Sequence, residues 1–510
     1  IAKLSLWLRT AQKGRKLTSL SSNIKCGNSL IDDPEIAGEK AFNWQNEFSE
    51  VFKNGGFDVV IGNPPYGASF NKIQKNFIID NYESYQYKFE SYLYFYEKGI
   101  QILKQKGFLS FITPELFLRL EKSQKIRSFI FNNSCVSELK FCGESVFEDV
   151  KVNSVILTLR REDINSKSFR IIPETGTPWE YKFKNWRNDA LLKIDYELSP
   201  LIKNIIDKID NESLKLKDIG EAIQGITPYD SYRGHSKELI KKRGFHFNNK
   251  IDETCGKWLD GKHVSRYKLA EGKEWLRYGE WLAAAREKRF FEGPRLLFRE
   301  VPGSNKRIQA TLTAETYYHG HSITPFILKN RSEIDLLFQI LAISNSKLVS
   351  WYTKYKSSNF SKNTFPKLNP KDIKELPFPK NSSEFQKVLK DKANSILSDH
   401  KNLQQLNFNF SSLLQSKYNI EKMSNKLQNW HKLDFSDFLK ELKKAKVKLS
   451  LSEEAEWMHY FNEQKQKALA LKSEIDKTDH EIDRMVYELY GLTEEEIGVV
   501  EGTAKSTINL

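Results

Sequence analysis

Short apolar runs alternate with amphipathic stretches over residues 1–165. The apolar runs lie at residues 24–30, 57–62, 108–113, 139–141 and 155–159. Runs of this length between stretches of helical periodicity predict strands joined by helices. A helix is predicted between Lys88 and Lys104, and Gly107 is typical of a helix stop before the next strand. The pattern indicates an α/β domain, and such sheets bind ligands at the carboxyl ends of their strands.

The pattern changes three times in the remainder of the chain. Residues 166–215 are polar and irregular, which predicts a connection that runs into a helix over 201–209. Residues 216–380 contain short aromatic, glycine-rich and basic segments, typical of an irregular α+β domain. Residues 381–510 regain helical periodicity and predict a helical region. Its clearest apolar stripe runs through Leu471, Ile475, Ile482, Met485 and Leu489, and Thr478 interrupts it.

Composition and charge narrow the class of protein. The chain has 510 residues, of which 39% are hydrophobic and 29% charged, as in folded domains. Its net charge of +14 suits a polyanionic partner, although a solvated basic surface is an equal alternative on charge alone. The four cysteines match no zinc or redox spacing and favour a reducing cytoplasm. No apolar run is long enough to predict a membrane span, and no signal peptide is recognisable.

The most specific motif is Asn63-Pro64-Pro65-Tyr66, directly after the predicted strand at 57–62. Two prolines end the strand and leave a stiff loop at the edge of the sheet. The Asn63 side-chain oxygen and the Pro64 carbonyl are acceptors that can hold the hydrogens of an aromatic amino group out of the ring plane. Tyr66 offers a π-face to a base that has left its stack.

This motif resembles the Asn-Pro-Pro-Tyr loop of gamma-class DNA adenine-N6 methyltransferases, especially TaqI-like and type IIG restriction-modification enzymes. The resemblance implies an S-adenosylmethionine-dependent, Rossmann-like methyltransferase domain over residues 1–165, in which Asn63, Pro64, Pro65 and Tyr66 are catalytic. It also implies double-stranded DNA as the partner, a prokaryotic cell as the setting, and no metal in the methylation step. Similar loops serve enzymes that methylate RNA adenines or protein glutamine, so the motif specifies the chemistry more closely than the substrate.

Further segments fit the same family in chain order. The resemblance places Asn28 and Ser29 of Cys26-Gly-Asn-Ser-Leu30 beside the adenine of the cofactor, although Asn28 stands where the family has an acidic residue. Phe95 and Pro65 are expected to line the cofactor pocket. An ordinary Gly-Asn turn and a core phenylalanine are the structural alternatives for Asn28 and Phe95. Phe147 falls at the position of the family's second base-stacking aromatic residue.

One family element is missing. A Phe-x-Gly-x-Gly loop for the methionine end of the cofactor is expected before these motifs, and no Gly-x-Gly follows any predicted strand. The sequence is therefore predicted to be truncated at its amino terminus, with an incomplete cofactor pocket. No pair of acidic residues with a lysine suggests a nuclease metal site, so DNA cleavage is not assigned to these residues.

Residues 216–380 resemble the TaqI-like specificity domain, in segments such as Ile223-Gln-Gly-Ile-Thr-Pro228 and Trp258-Leu-Asp-Gly-Lys262. Basic residues interleave with aromatic ones there and are candidate DNA contacts, with a solvated surface as the alternative. These candidates are Lys241, Lys242, Arg243, Arg286, Lys288, Arg289, Lys354 and Lys356. The basic run at 440–448 is more typical of a solvated helix face than of a phosphate contact.

These observations favour a sequence-specific DNA adenine-N6 methyltransferase fragment of a restriction-modification enzyme. Two other functions stay open: a DNA-recognition module without activity of its own, and a methyltransferase that acts on RNA or protein. The recognition sequence depends on which side chains reach a groove and does not follow from composition.

Overall fold

The structure is a computed structural model, and it describes residues 2–10, 20–87, 90–144, 146, 152–175, 177–362, 365–380 and 383–503. The chain divides into two compact units, and the boundary along the sequence lies between Leu201 and Ile202. Each unit has its own sheets and its own helices.

The first unit is an α/β unit, as predicted. Its helices are α1 (Ala2–Thr10), α2 (Pro34–Ala37), α3 (Trp44–Glu47), α4 (Ser49–Lys53), α5 (Lys72–Asn81), α6 (Ser91–Ile102), α7 (Gln124–Asn133) and α8 (Phe183–Asn188). Its strands are β1 (Phe57–Gly62), β2 (Leu103–Pro114), β3 (Cys135–Gly143), β4 (Ser154–Arg160), β5 (Ser168–Ile172) and β6 (Trp179–Lys182). They form one six-stranded sheet in the order β1-β2-β4-β3-β5-β6.

The sheet of the first unit mixes parallel and antiparallel pairs. β1 runs parallel to β2 and β3 parallel to β5, whereas β4 is antiparallel to both β2 and β3. β5 and β6 form an antiparallel pair, so residues 166–215, predicted as a connection, contribute two strands to this sheet. Alternation of buried and exposed positions along β4 and β5 explains why these short segments join the core.

Two sequence predictions about this unit are wrong in detail. Residues 24–30 form a turn instead of a strand, because the Asn28 side chain accepts a hydrogen bond from the Leu30 amide and only an isolated bridge joins Asn28 to Ala41. Gly107 is not a helix stop: α6 ends at Ile102 and β2 begins at the next residue. A Cβ at Gly107 would lie 2.8 Å from the Phe57 carbonyl oxygen, so the glycine permits close approach of β1.

The second unit contains the α+β part and the helical part. Its helices are α9 (Pro200–Asn211), which begins at the end of the first unit, α10 (Leu216–Ile219), α11 (Lys237–Lys242), α12 (Ile334–Asn345), α13 (Lys347–Lys356), α14 (Pro370–Lys374), α15 (Ser383–Tyr418), α16 (Asn425–Gln428), α17 (Phe435–Lys444), α18 (Leu451–Leu489) and α19 (Glu494–Glu501). Its strands are β7 (Ser213–Lys215), β8 (Gly220–Ala222), β9 (His246–Phe247), β10 (Cys255–Leu259), β11 (Val264–Ser265), β12 (Lys268–Leu269), β13 (Trp275–Arg277), β14 (Arg295–Arg299), β15 (Ala310–Thr313), β16 (Tyr317–His319), β17 (Ile323–Leu328) and β18 (Pro377–Pro379).

Small sheets and long helices divide the second unit as the sequence predicts. Two four-stranded sheets have the orders β16-β10-β13-β9 and β15-β14-β17-β8, and two-stranded sheets join β11 to β12 and β18 to β7. The predicted apolar stripe lies on α18, where Ile475, Thr478 and Ile482 are buried. The threonine that interrupts the stripe is therefore part of the packed face.

The described residues also bear on cysteine pairing, membrane spanning and metal binding. All four cysteines are free. No described helix combines the length and apolar character needed to cross a membrane. Within the same residues, no cluster of three histidine, cysteine or acidic side chains is arranged to hold a metal ion.

Candidate active site

The Asn63–Tyr66 loop leaves the sheet at the carboxyl end of β1. β1 lies at the end of the strand order, and Gly62 is in register with Phe111 of β2. In the loop, Asn63 and Pro65 are exposed, Pro64 is buried and Tyr66 is half-buried. Because proline has no N–H, the loop cannot extend the hydrogen-bond ladder of β1. The side chain of Asn63 is thereby presented at the sheet edge.

Two glycines admit the ring that lies under the loop. A Cβ at Gly62 would lie 2.9 Å from Cε1 of Phe111, and one at Gly99 of α6 would lie 3.2 Å from Cζ of the same ring. Phe111 thus fills the space between the end of β1 and α6, and any larger residue at either glycine would displace it. This packing fixes the position of the end of β1, from which Asn63 follows.

Two hydrogen bonds fasten the loop to its neighbours. The Ser91 hydroxyl, at the start of α6, donates to the Pro65 carbonyl at 2.5 Å. The Tyr66 hydroxyl donates to the Ile112 carbonyl at 3.3 Å, and the Tyr66 ring meets Tyr92 in a T-shaped contact with centroids 6.2 Å apart. Partial burial raises the pKa of Tyr66 above its ordinary value, so its hydroxyl remains a donor at neutral pH. Sequence reasoning missed Ser91, because its contact spans 26 residues.

The two acceptors predicted for an amino group are left available. Across the described part of the chain, neither the Asn63 side chain nor the Pro64 carbonyl takes part in a hydrogen bond. The hydrogen bond from Ser91 engages the next carbonyl, that of Pro65. The loop therefore holds one side-chain acceptor and one backbone acceptor in fixed positions without using either for its own folding.

Polar side chains also line the ends of β2 and β4. Tyr96 and Thr113 share a buried hydrogen bond of 2.8 Å. The Asn153 amide donates to the Glu115 carboxylate at 3.2 Å, directly after Pro114 ends β2. Burial raises the pKa of Glu115, and the hydrogen bond from Asn153 opposes that rise. Sequence reasoning missed Glu115, although a carboxylate directly after a buried strand was a signal that could have found it.

The predicted cofactor segment 28–30 is fixed as a turn. Besides the bond to the Leu30 amide, the backbone N–H of Asn28 donates to the Lys40 carbonyl at 2.6 Å. The Trp44 indole donates to the Ser29 carbonyl at 3.0 Å, and the Tyr82 hydroxyl donates to the Leu30 carbonyl at 2.7 Å. The side-chain oxygen of Asn28 is thus used within the turn, and its amide nitrogen forms no hydrogen bond with any described residue.

Helix α6 supports both predicted parts of the site. Ser91 binds the Asn63–Tyr66 loop, while Tyr94 packs in the same buried cluster as Leu30. Phe95 is half-buried and packs against this cluster and against the main core of the unit. Its predicted contact with a cofactor stays a prediction. Phe147, the predicted second stacking residue, lies outside the described residues.

The eight candidate DNA contacts lie on three separate segments of the second unit. Lys241, Lys242 and Arg243 are at the end of α11, the residues from Arg286 to Arg289 precede β14, and Lys354 and Lys356 end α13. All eight are exposed. The structure places all of them on the second unit.

Five of these eight residues are engaged by carboxylates. Arg289 forms two hydrogen bonds of 2.8 Å to Glu221. The other pairs are Lys242–Glu238, Arg243–Glu274, Lys288–Glu292 and Lys356–Asp210, at 2.7 to 3.0 Å. Lys241 and Lys354 have no such ion pair with any described residue. Five of the candidates would have to leave a carboxylate in order to bind a phosphate, whereas Lys241 and Lys354 would not.

Comparisons with known families match three parts of the chain. Residues 1–147 match the Eco57I restriction-modification methylase family, and residues 256–378 match the TaqI-like C-terminal specificity domain. Residues 382–486 match a domain of unknown function, DUF8810. The chain is thus similar to a restriction-modification methylase in its first part and to a TaqI-like specificity domain farther on, which confirms the resemblance seen in the sequence.

Two curated relatives are named as type II restriction enzymes and methyltransferases. A putative type II restriction enzyme and methyltransferase of Methanocaldococcus jannaschii, RM.MjaORFECS2P, is 28% identical over 363 residues, which are 68% of this chain and 29% of that protein. The type II restriction enzyme and methyltransferase RM.Eco57I of Escherichia coli is 32% identical over 211 residues, 39% of this chain and 20% of that protein. The chain spans about a fifth to a third of the length of the curated relatives it matches.

Two solved restriction enzymes are similar over most of the chain. The type IIL enzyme MmeI in complex with DNA has a TM-score of 0.39 at 11% identity, covering 91% of this chain and 58% of that one. The type IIG endonuclease BpuSI has a TM-score of 0.36 at 11% identity, covering 86% of this chain and 55% of that one.

Proposed function

We propose that the chain is the modification part of a restriction-modification enzyme, and that it transfers a methyl group to N6 of adenine in double-stranded DNA. The observation that carries this proposal is the pair of available acceptors, the Asn63 side chain and the Pro64 carbonyl, on a loop braced by Ser91 and Ile112. The match of residues 1–147 to a restriction-modification methylase family supports it.

The proposed role of the loop follows from the chemistry of an aromatic amine. The lone pair of adenine N6 is delocalised into the ring, so the amino nitrogen is a poor nucleophile. Acceptors at Asn63 and Pro64 hold the two amino hydrogens, and they favour the geometry in which the lone pair is localised on nitrogen. They also stabilise the positive charge that develops on nitrogen as the new bond forms. A preformed loop meets this charge without reorganisation.

The target base must leave the duplex to reach this loop. N6 of a stacked and paired adenine is inaccessible, so the enzyme must receive the base in an extrahelical position. Tyr66 is half-buried and held by Ile112 and Tyr92, and its ring is the proposed stacking surface for the extruded base. Phe147 is proposed as the opposite surface. The specificity region at 256–378 is proposed to select the sequence at which this happens.

The residues present fit the adenine end of S-adenosylmethionine. The Asn28 amide nitrogen is free to donate because the side-chain oxygen is used by Leu30, and Ser29 and Phe95 are half-buried near the same cluster. When bound, this cofactor supplies an electrophilic methyl group on a sulfonium. We propose that Asn28, Ser29, Pro65 and Phe95 hold its adenosine part.

The test is transfer of labelled methyl groups by protein purified from the intact gene. Duplex DNA is expected to be labelled at adenine N6, and Asn63→Ala is expected to abolish labelling while duplex binding is retained. Asn76→Ala, an exposed asparagine on α5, is the matched control. Labelling that survives Asn63→Ala would refute the proposed role of the loop.

The same experiment separates the two alternative functions. Duplex binding without transfer to any substrate would identify a recognition module. Greater incorporation into RNA or into protein than into duplex DNA would select the other methyltransferase classes.

A further inference from the structure

The helices α15 and α18 form an antiparallel hairpin that extends from the specificity region. Lys392 of α15 pairs with Glu481 of α18, whereas Tyr418 near the other end of α15 contacts Trp457 near the start of α18. The Gln404 side chain donates to the Leu269 carbonyl of β12 at 3.0 Å. From Gln404 to Tyr418, α15 continues for 14 residues, which is about 21 Å of helix.

The far end of this hairpin has an aromatic core of its own. Phe410 stacks on Trp430 with centroids 3.7 Å apart, and Phe438, Trp457 and Phe461 pack around them. All five side chains are buried. Stacked rings at this density fix the short helices α16 and α17 firmly against the hairpin. Residues 417–448, called here the lysine cap, are therefore carried on a rigid support.

The lysine cap contains nine lysines, no arginine and four acidic residues. Of the acidic residues, Asp434 caps α17, Asp437 pairs with Lys440, and Glu441 pairs with Lys444. The other seven lysines are exposed and form no ion pair with any residue that the structure describes. These seven are Lys417, Lys422, Lys426, Lys432, Lys443, Lys446 and Lys448.

Glu453, an acidic residue shortly after the lysine cap, is used by the start of helix α18. Glu453 lies in the first turn of α18, where its carboxylate closes a capping box with Ser450. A carboxylate held in this way stabilises the helix amino terminus instead of a lysine. The cap therefore differs from the candidate contacts of the specificity region, of which five already bind carboxylates.

We infer that the lysine cap is a second DNA-binding surface, which contacts the phosphate backbone of duplex DNA without reading its sequence. Lysine is a point charge that positions a backbone, and no arginine is present to make the bidentate contacts typical of base recognition. The cap begins about 21 Å along α15 from Gln404, where the helix contacts β12. A duplex that contacts both places would span this length with roughly six base pairs. This inference rests on the proposed function, because it takes DNA as the partner, and it gives a role to the region of unknown function at 382–486.

The experiment compares two triple variants of the full chain. Lys426, Lys443 and Lys448 lie on α16, on α17 and just before α18, and K426Q/K443Q/K448Q removes three charges from the cap. K401Q/K467Q/K477Q removes three exposed lysines from the same hairpin outside the cap, and it controls for the change in net charge. Lys467 and Lys477 are paired with Glu463 and Glu474, unlike the lysines changed in the cap. Circular dichroism melts of both variants establish that they are folded.

The readout is the salt dependence of binding to a fluorescent 30-bp duplex of random sequence. If all three lysines contact phosphates, the slope of log affinity against log salt is expected to decrease in magnitude by about 2.7 in the cap variant. The control variant is expected to keep the wild-type slope. On a hairpin with a 10-bp stem the difference is expected to shrink, because little duplex remains beyond the specificity region. Equal slopes for the cap variant and the control would overturn the inference.

The outcomes also separate this inference from the proposed function. Lysine-dependent duplex binding in a protein that transfers no methyl group would refute the proposed function and leave the cap as a DNA-binding surface. Methyl transfer to DNA with an unchanged slope would overturn the inference alone. A greater loss of slope on an RNA hairpin than on duplex DNA would overturn the assignment to DNA.

Discussion

Arg307 and Asp483 form a buried ion pair with an N–O distance of 3.0 Å, and it joins the specificity region to helix α18. Asp483 is 1% exposed and Arg307 8%. The same carboxylate accepts a hydrogen bond from the Lys347 backbone N–H at 2.7 Å, and Arg307 also donates to the Asn345 carbonyl at 2.6 Å. Arg307 and Asp483 thereby connect the end of α12 and the start of α13 to α18.

Asp483→Ala is expected to destabilise the second unit by about 1–3 kcal/mol, because it removes a buried acceptor of both the Arg307 guanidinium and the Lys347 N–H. Asp479 remains as a second partner of Arg307 at 3.3 Å. Asp483→Asn keeps an oxygen acceptor for the Lys347 N–H and is expected to cost less. The free energy of unfolding from urea titration is the measurement, with Asp476→Ala on the exposed face of α18 as the control. A loss no larger than that of the control would contradict the role given to this pair.

A buried histidine makes the second unit sensitive to acid. His319 on β16 is fully buried, neither of its ring nitrogens has a hydrogen-bond partner among the described residues, and burial lowers its pKa to about 3. Because the folded pKa lies below the unfolded value of about 6.5, protons bind the unfolded chain more strongly. This histidine therefore leaves stability intact above pH 6.5 and reduces it as the pH falls below that value.

Between pH 7 and pH 5 the loss from His319 is expected to be about 2 kcal/mol. His319→Phe keeps a ring against Phe291, whose centroid lies 5.0 Å away, and removes the titrating group. The variant is expected to lose that much less stability over the same range, as measured by urea unfolding at both pH values. His480→Gln, at an exposed position, should retain the wild-type acid dependence, and an unchanged dependence in His319→Phe would argue against this assignment.

Local rules predicted the Asn63–Tyr66 loop, whereas the contacts that hold it depend on residues far apart in the sequence. The Asn63–Tyr66 loop was predictable because two prolines end a strand whatever surrounds it. The bracing by Ser91 and the fit of Phe111 against Gly62 depend on residues brought together by the fold. The candidate DNA contacts show the same limit: Arg289 was chosen for its charge, whereas its partner Glu221 lies 68 residues away. Likewise, only the structure shows which lysines at 417–448 form ion pairs and which do not.

Gly62→Ala is expected to damage the site more than the fold. Its Cβ would lie 2.9 Å from Phe111, so the ring or the end of β1 must move, at a cost of about 1–3 kcal/mol. Because Asn63 is the next residue, the displaced loop is expected to lower methyl transfer by far more than the loss of stability explains. Gly67→Ala meets no atom within 4 Å and serves as the stability control. Transfer that is unchanged in Gly62→Ala would show that the position of the loop does not depend on this packing.

Substitutions at Tyr66 distinguish its ring from its hydroxyl. Stacking of a base on an aromatic side chain contributes about 1–3 kcal/mol, so Tyr66→Ala is expected to lower kcat/KM for duplex DNA by roughly 5- to 150-fold. Tyr66→Phe keeps the ring and its T-shaped contact with Tyr92, and it removes the hydroxyl, which interacts with Ser154 and donates the 3.3 Å hydrogen bond to the Ile112 carbonyl. That bond is expected to contribute about 1 kcal/mol, a loss of roughly fivefold. Steady-state methyl transfer on DNA with a mapped modification site measures both variants. If Tyr66→Phe were as inactive as Tyr66→Ala, bracing of the loop by the hydroxyl, and not stacking of the base, would be the function of this residue.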